Sequence, residues 1–171
     1  MLYFVLGGAR SGKSRHAQQL AAQAETAGKQ VIYVATATAS DDEMAERIKH
    51  HQHNRPSHWQ VVEEPLDLAG VLSRYGDDCV ILVDCLTLWL SNLLGLPDES
   101  QFAQHRQAFI QALTTSRADV VLVSNETGLG IVPMGQLTRQ FVDESGFLHQ
   151  QIAQLADQVV FCVAGLPMVL K

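Results

Sequence analysis

The chain of 171 residues has the length of one domain, and 47% apolar against 18% charged residues is typical of a compact globular protein. Twelve Lys and Arg against 18 Asp and Glu give a net charge of −6, which argues against proteins that bind nucleic acids or acidic membranes through a broad basic surface. The sequence has no uninterrupted apolar run that could span a membrane, and its apolar start lacks the basic region and cleavage site of a signal peptide. We therefore expect a cytoplasmic protein.

Short aliphatic and β-branched runs predict five β-strands, at residues 2–6, 31–35, 79–83, 120–123 and 159–163. The runs do not alternate with polar residues, as expected for a parallel sheet covered by helices on both faces. Helices are predicted between them at residues 13–27, 40–54, 66–75 and 101–116, and a last long helix is predicted to begin near Pro133. This alternation predicts a single doubly wound α/β domain over residues 1–171, with a mostly parallel sheet.

Three cysteines lie in apolar stretches, at Cys79, Cys85 and Cys162. Their odd number and the lack of a Cys-x-x-Cys spacing argue against a disulfide framework or a metal site. We expect all three to be small buried hydrophobic side chains.

Residues 7–14, with the sequence GGARSGKS, match the phosphate-binding pattern GxxxxGK[ST] between a predicted strand and a predicted helix. Glycines allow the backbone N–H groups of such a loop to face phosphate oxygens, and the helix N-terminus favours negative charge. Lys13 is then expected to neutralise the β- and γ-phosphates, and the Ser14 hydroxyl to ligate Mg²⁺. The alternative is a glycine-rich turn that matches by chance, and the strand and helix on either side favour the phosphate site.

Polar residues also follow the other predicted strands, at the edge of a parallel sheet where ligands bind. Asp84 follows the third strand, where a P-loop protein keeps the acid of its Mg²⁺ shell. The alternative for Asp84 is an ordinary loop carboxylate or a helix cap. Asn125 and Glu126 follow the fourth strand, where they either line a reaction site or belong to a plain glycine turn.

Four histidines fall within nine residues, at His50, His51, His53 and His58. They fit a solvated helix end, where histidine complements the negative helix dipole. A metal site is less favoured, because the spacing lacks the cysteines or carboxylates of zinc sites. A third interpretation is a nucleophilic imidazole, kept neutral by a neighbouring cation such as Arg47. The spacing leaves these three interpretations open.

Five blocks in chain order carry a resemblance to a known family: GGARSGKSR at 7–15, YVAT at 33–36, DDEMAERIKHH at 41–51, RPSHW at 55–59 and NETGLGIVP at 125–133. Together they resemble the bifunctional adenosylcobinamide kinase/adenosylcobinamide-phosphate guanylyltransferases of cobalamin biosynthesis. The resemblance covers nearly the whole chain. Asp84 is a departure, since some members carry Glu there, and either carboxylate can serve a Mg²⁺ shell.

The resemblance implies a RecA-like P-loop fold, a homotrimer and two reactions. ATP or GTP phosphorylates adenosylcobinamide, and GMP from GTP is then transferred to the adenosylcobinamide phosphate through a covalent GMP-histidine. His50 matches that histidine and Lys13 the phosphate-binding lysine, so both are expected to be catalytic, with Ser14 and Asp84 as the Mg²⁺ ligands.

The motif and the resemblance assign nucleotide contacts to the phosphate loop, the second strand, the histidine segment and two acids. These residues are Gly7, Gly8, Ala9, Arg10, Ser11, Gly12, Lys13, Ser14, Arg15, Val34, Ala35, Thr36, His51, Gln52, His53, Asn54, Glu63 and Asp84. Trp59 and Trp89 are expected to pack in the core rather than to bind cobinamide.

Two other functions fit the P-loop by itself. One is a kinase of another small molecule, with structural histidines and no covalent intermediate. The other is a nucleotide-dependent regulatory module, with no small-molecule acceptor.

Replacing Lys13 with Ala is expected to impair both reactions, because one loop is predicted to grip the triphosphate in each of them. The measurement is the rate of cobinamide phosphorylation and, separately, of GMP transfer to supplied cobinamide phosphate. If the variant kept both rates, a single shared phosphate loop would be contradicted.

Overall fold

The structure, a computed structural model, describes residues 1–37 and 56–171. Its strands are β1 (Leu2–Gly7), β2 (Gln30–Ala35), β3 (Gln60–Glu63), β4 (Cys79–Asp84), β5 (Asp119–Asn125), β6 (Gln158–Val163) and β7 (Leu166–Val169). Its helices are α1 (Lys13–Thr26), α2 (Leu68–Arg74), α3 (Leu86–Leu94), α4 (Glu99–Thr115) and α5 (Gln136–Leu155).

The strands form one sheet in the order β3-β2-β4-β5-β1-β6-β7. Every neighbouring pair is parallel except β6 and β7, which pair antiparallel. The predicted doubly wound α/β fold with a mostly parallel sheet is thereby confirmed. Because parallel strands end at the same edge, the carboxyl ends of β3, β2, β4, β5 and β1 lie side by side.

Two apolar layers cover the two faces of the sheet. Successive strand residues face opposite sides, so Phe4 belongs to one layer and Val5 to the other. The larger layer contains buried residues of α2, α3, α4 and α5, including Trp89 and Phe109, whose ring centroids are 4.8 Å apart. The smaller layer is built around α1. Burial on both faces explains why the five inner strands are almost uniformly apolar.

Both tryptophans are core residues, as predicted. Trp89 is fully buried, and its indole N–H donates to the carbonyl of Leu66 at 2.8 Å. Trp59 is 4% exposed, and its indole N–H donates to the carboxylate of Glu25 at 3.2 Å. A buried indole N–H needs such an acceptor, because leaving it unpaired costs about 1–3 kcal/mol.

The five predicted strands and the helices predicted at 13–27, 66–75 and 101–116 are confirmed to within two residues at each end. The helix predicted at 40–54 lies outside the described residues. The predicted start of the last helix near Pro133 is wrong, since α5 begins at Gln136. Gly135 has an extended backbone, with φ of −71° and ψ of 137°, so helical geometry begins only after it.

Three elements were not predicted from the sequence. The α3 sequence LTLWLSNLL is apolar on nearly all sides and follows β4 directly, so it shows no amphipathic period. Strand β3 has four residues, two of them polar, and β7 contains Pro167, which is tolerated at the edge of a sheet. Among the residues that the structure describes, neither α3 nor any other helix is long and apolar enough to cross a membrane.

All three cysteines are free thiols. Cys79 and Cys162 are buried as predicted, whereas Cys85 is half-buried at the end of β4. Burial raises the pKa of each thiol, so all three are poor nucleophiles.

Candidate active site

The loop at residues 7–14 connects the carboxyl end of β1 to the N-terminus of α1, as the motif predicts. Gly12 caps the helix with a φ of 94°, in the left-handed region that glycine adopts without a steric penalty. The N–H of His16 donates to the carbonyl of Gly12 at 3.0 Å, so α1 starts directly from the loop. Its first amides therefore remain available to a bound anion.

Gly7 is surrounded too closely to carry a side chain. A Cβ atom there would lie 2.4 Å from Ser11 Oγ and 2.7 Å from the backbone oxygen of Cys162. Ser11 is 8% exposed, and its hydroxyl oxygen has no hydrogen-bond partner within the described part of the chain. The backbone of β6 thus fixes the first turn of the loop.

The turn between β6 and β7 supports the same loop, a contact that sequence analysis missed. The N–H of Gly165 donates to the carbonyl of Ser11 at 2.9 Å, and Gly165 Cα would lie 3.0 Å from a Cβ on Gly12. Gly165 itself has a φ of 80°, and the local Ala-Gly pair was the only signal of a tight turn in the sequence.

The basic residues of the loop differ in their surroundings. Lys13 is half-buried, and its ammonium donates to the carbonyl of Gly8 at 3.1 Å, so it lies across the loop. The Arg15 guanidinium is exposed and donates to the carbonyl of Gly165 at 3.4 Å. Ala9 and Arg10 are exposed, and Ser14 is half-buried in the first turn of α1. The geometry favours Lys13 over Arg15 as the cation of the phosphate site.

The predicted acids and the end of β2 lie at one level of the sheet. Ala35 is in register with Glu63 on one side and with Asp84 on the other. The Tyr33 hydroxyl donates to Asp84 Oδ2 at 3.1 Å, a partner that sequence analysis missed. Glu63 is exposed and Asp84 half-buried, so both carboxylates can be reached from this edge.

Val34 and Thr36 are fully buried. The Thr36 hydroxyl donates to the carbonyl of Cys85 at 2.7 Å and accepts from its N–H at 3.0 Å. In this structure the Thr36 hydroxyl links the ends of β2 and β4, and Val34 packs in the core. The nucleotide contacts predicted for both residues stay predictions.

The Ser14 hydroxyl and the Asp84 carboxylate are oxygen donors of the kind that Mg²⁺ prefers. Within residues 1–37 and 56–171, no group of three His, Cys, Asp or Glu side chains is placed to hold a metal ion by itself. This donor set fits an ion that is held mainly by substrate phosphates, with one protein hydroxyl and one carboxylate beside it.

His50, His51, Gln52, His53 and Asn54 lie outside the described residues. His58 and Trp59, in the next described stretch, are both held by Glu25 at the end of α1. His58 Nε2 lies 2.7 Å from Glu25 Oε1, and the Trp59 indole N–H donates to the same carboxylate. The chain is therefore anchored on α1 just after Pro56.

The end of β5 lies beside the phosphate loop. Asn125 is in register with Gly7, and the N–H of Glu126 donates to the carbonyl of Gly7 at 3.1 Å. The Oδ1 atom of Asn125 is buried without a hydrogen-bond partner among the described residues. Asn125 and Glu126 thus share the edge that holds the phosphate loop and Asp84.

A buried histidine lies behind this edge. His149 of α5 is 9% exposed, its Nε2 lies 2.8 Å from Ser124 Oγ, and its Nδ1 lies 3.9 Å from Glu126 Oε2. Burial lowers the pKa of His149, and the Glu126 carboxylate opposes that shift, so the ring is neutral near pH 7. This histidine was not predicted from the sequence, although its place next to Leu148 in the apolar stripe of α5 was a signal.

The sequence profile of the cobinamide kinase/cobinamide phosphate guanyltransferase family matches residues 3–170. The chain belongs to this family. Two similar proteins are named bifunctional adenosylcobalamin biosynthesis proteins. CobP of Pseudomonas aeruginosa is 52% identical over 98% of this chain and 95% of that protein. CobU of Escherichia coli is 40% identical, with all of both chains covered. The family named from the sequence blocks is confirmed.

Solved structures with the same fold are much more distant. The flagellar accessory protein FlaH of Methanocaldococcus jannaschii has a TM-score of 0.55 at 15% identity, covering 99% of this chain and 77% of that one. A KaiC-like protein of Pyrococcus horikoshii has a TM-score of 0.50 at 15% identity, covering 94% and 69%. They confirm the P-loop fold that is expected for the family.

Replacing Gly7 with Ala is expected to destabilise the protein by about 1–3 kcal/mol, because the new Cβ would overlap Ser11 Oγ and a backbone oxygen. Gly8 is the matched control, since a Cβ there meets no atom within 4 Å. Its replacement with Ala is expected to change the free energy of unfolding by less than about 0.5 kcal/mol. Urea unfolding of both variants measures the difference, and equal stabilities would contradict the close packing at Gly7.

Proposed function

We propose that this enzyme phosphorylates the aminopropanol hydroxyl of adenosylcobinamide with ATP or GTP and then transfers GMP from GTP to the new phosphate. The observation that carries the proposal is the family match over residues 3–170. The close packing of the phosphate loop against the backbone at Cys162 and Gly165 also supports it. The names of the relatives, bifunctional adenosylcobalamin biosynthesis proteins, support the same pair of reactions.

In the kinase reaction the hydroxyl oxygen attacks the γ-phosphorus, the bond to the β-phosphate oxygen breaks, and the nucleoside diphosphate leaves. Lys13 and the backbone amides of residues 8–14 bind the β- and γ-phosphates and spread the charge that develops on transfer. Ser14 and Asp84 are the proposed holders of Mg²⁺, Asp84 through water. The ion, when bound, neutralises phosphate charge.

In the transferase reaction the imidazole of His50 attacks the α-phosphorus of GTP, and pyrophosphate leaves. A phosphate oxygen of adenosylcobinamide phosphate then attacks the same phosphorus, the bond to His50 breaks, and adenosyl-GDP-cobinamide is released. A covalent intermediate divides one difficult displacement into two easier ones.

The surroundings of GTP are proposed from the same resemblance. They comprise the phosphate loop with Arg15, the end of β2 at Val34, Ala35 and Thr36, the segment His51, Gln52, His53 and Asn54, and the acids Glu63 and Asp84. The register of Ala35 with both acids supports this arrangement.

The setting of the enzyme is also proposed. We infer that residues 1–171 work as one domain, since all seven described strands belong to one sheet. The enzyme is proposed to be a cytoplasmic homotrimer. Ile131 and Met134, which are 99% and 94% exposed, provide apolar surface of the kind that a neighbouring subunit covers.

Incubation with GTP labelled at the α-phosphate is expected to leave an acid-labile, alkali-stable label on the protein. His50→Ala should abolish the label, because no other group is proposed to attack the α-phosphorus. His58→Ala is the matched control and should keep it, since His58 is exposed and held by Glu25. An unlabelled wild-type protein would contradict the transferase step and favour a kinase without a covalent intermediate.

A further inference from the structure

The carboxylate of Glu126 has no part in the functions described so far, although it lies next to the phosphate loop. Its backbone N–H donates to the carbonyl of Gly7, the first residue of the loop, at 3.1 Å. Strand β5, which carries it, lies between β1 with the loop and β4 with Asp84. Glu126 therefore lies where the phosphate that is transferred and its acceptor are expected to meet.

The carboxylate accepts a hydrogen bond from a backbone N–H, and a histidine lies nearby. Its Oε1 accepts the N–H of Gly128 at 2.5 Å, and its Oε2 lies 3.9 Å from His149 Nδ1. In the described ranges, no Lys or Arg nitrogen lies within 4.0 Å of it. A carboxylate without a cationic partner keeps an oxygen that can accept a proton.

His149 is fixed by contacts from three elements. Its Nε2 lies 2.8 Å from Ser124 Oγ of β5 and 3.3 Å from Ser145 Oγ of α5. Its ring packs edge-on against Phe4 of β1, with centroids 5.4 Å apart. This leaves Nδ1 on the side of Glu126. The histidine is buried, its Nε2 is within hydrogen-bond distance of two hydroxyls, and its Nδ1 lies 3.9 Å from the carboxylate.

The chemistry of the two reactions differs in one respect. An alcohol must lose a proton when it attacks phosphorus, so the kinase reaction needs a proton acceptor. A neutral imidazole attacks with its lone pair, and a phosphate monoester is already ionised near pH 7 because its second pKa is about 6. The GMP transfer therefore needs no such acceptor.

We propose that Glu126 accepts the proton of the cobinamide hydroxyl in the kinase reaction and that His149 is its positioning residue. As the hydroxyl oxygen bonds to the γ-phosphorus and the bond to the β-phosphate oxygen breaks, the hydroxyl proton passes to the Glu126 carboxylate. The nucleoside diphosphate carries away the electron pair of the broken bond, and the carboxyl group returns its proton to water. This inference rests on the proposed kinase function.

Glu126→Gln tests the proton transfer, because Gln keeps the shape of the side chain and an oxygen that can accept from Gly128. We expect the kcat of the kinase reaction to fall about 10²-fold or more, the range for loss of a general base. The KM for GTP and the rate of GMP transfer to supplied cobinamide phosphate should not change. Glu144→Gln is the matched control, because Glu144 of α5 pairs with Arg106 at 2.8 Å, and it should leave both reactions unchanged.

Two variants of His149 test positioning. The amide nitrogen of Asn can take the place of Nδ1 and keep the contact with Glu126, whereas that of Gln can take the place of Nε2 and keep only the contact with Ser124. We expect His149→Asn to keep most of the kinase activity and His149→Gln to lower its kcat selectively. A merely structural role of His149 would lower both reactions together in both variants.

Full kinase activity of Glu126→Gln would overturn the inference. An equal fall in the rates of both reactions would also overturn it, because Glu126 would then only stabilise the phosphate loop. The proposed function fails in a different way. Wild-type protein that does not phosphorylate adenosylcobinamide would overturn the function, and the inference with it.

Discussion

The close packing of the phosphate loop against its neighbours is the constraint on which the rest of the site depends. Gly7 has no space for a side chain beside Ser11 and the backbone of β6, and the Gly165 turn holds the far side of the loop. A protein with a net charge of −6 has no general attraction for a triphosphate. In the proposed site, affinity comes from a few fixed amides, the N-terminus of α1 and Lys13, and the packing of the loop fixes their geometry.

The parallel sheet gathers the other groups around this loop. Asp84 and Glu63 stand at the ends of β4 and β3, on one level with Ala35, and Glu126 stands at the end of β5. One phosphate-binding loop can then serve two reactions that take place at different phosphorus atoms of a nucleotide. In the proposed mechanism they differ in the group that attacks, which is a hydroxyl that must lose a proton in one reaction and the imidazole of His50 in the other.

Local patterns in the sequence predicted much of this arrangement. The apolar strands, α1 and the phosphate loop each have a short-range signal, and the position of Asp84 follows from the end of its strand. Tertiary contacts decide the rest. The short edge strands and the buried helix α3 have weak local preferences, and the partnership of His149 with Ser124 joins residues of α5 and β5 that no spacing rule relates.

The most direct test of the shared phosphate loop is a crystal structure of the protein with a non-hydrolysable GTP analogue. We expect the β- and γ-phosphates to lie within hydrogen-bond distance of Lys13 Nζ and of the amides of residues 8–14, with an oxygen of the metal shell near Asp84. A triphosphate bound elsewhere, with this loop free of phosphate, would contradict it.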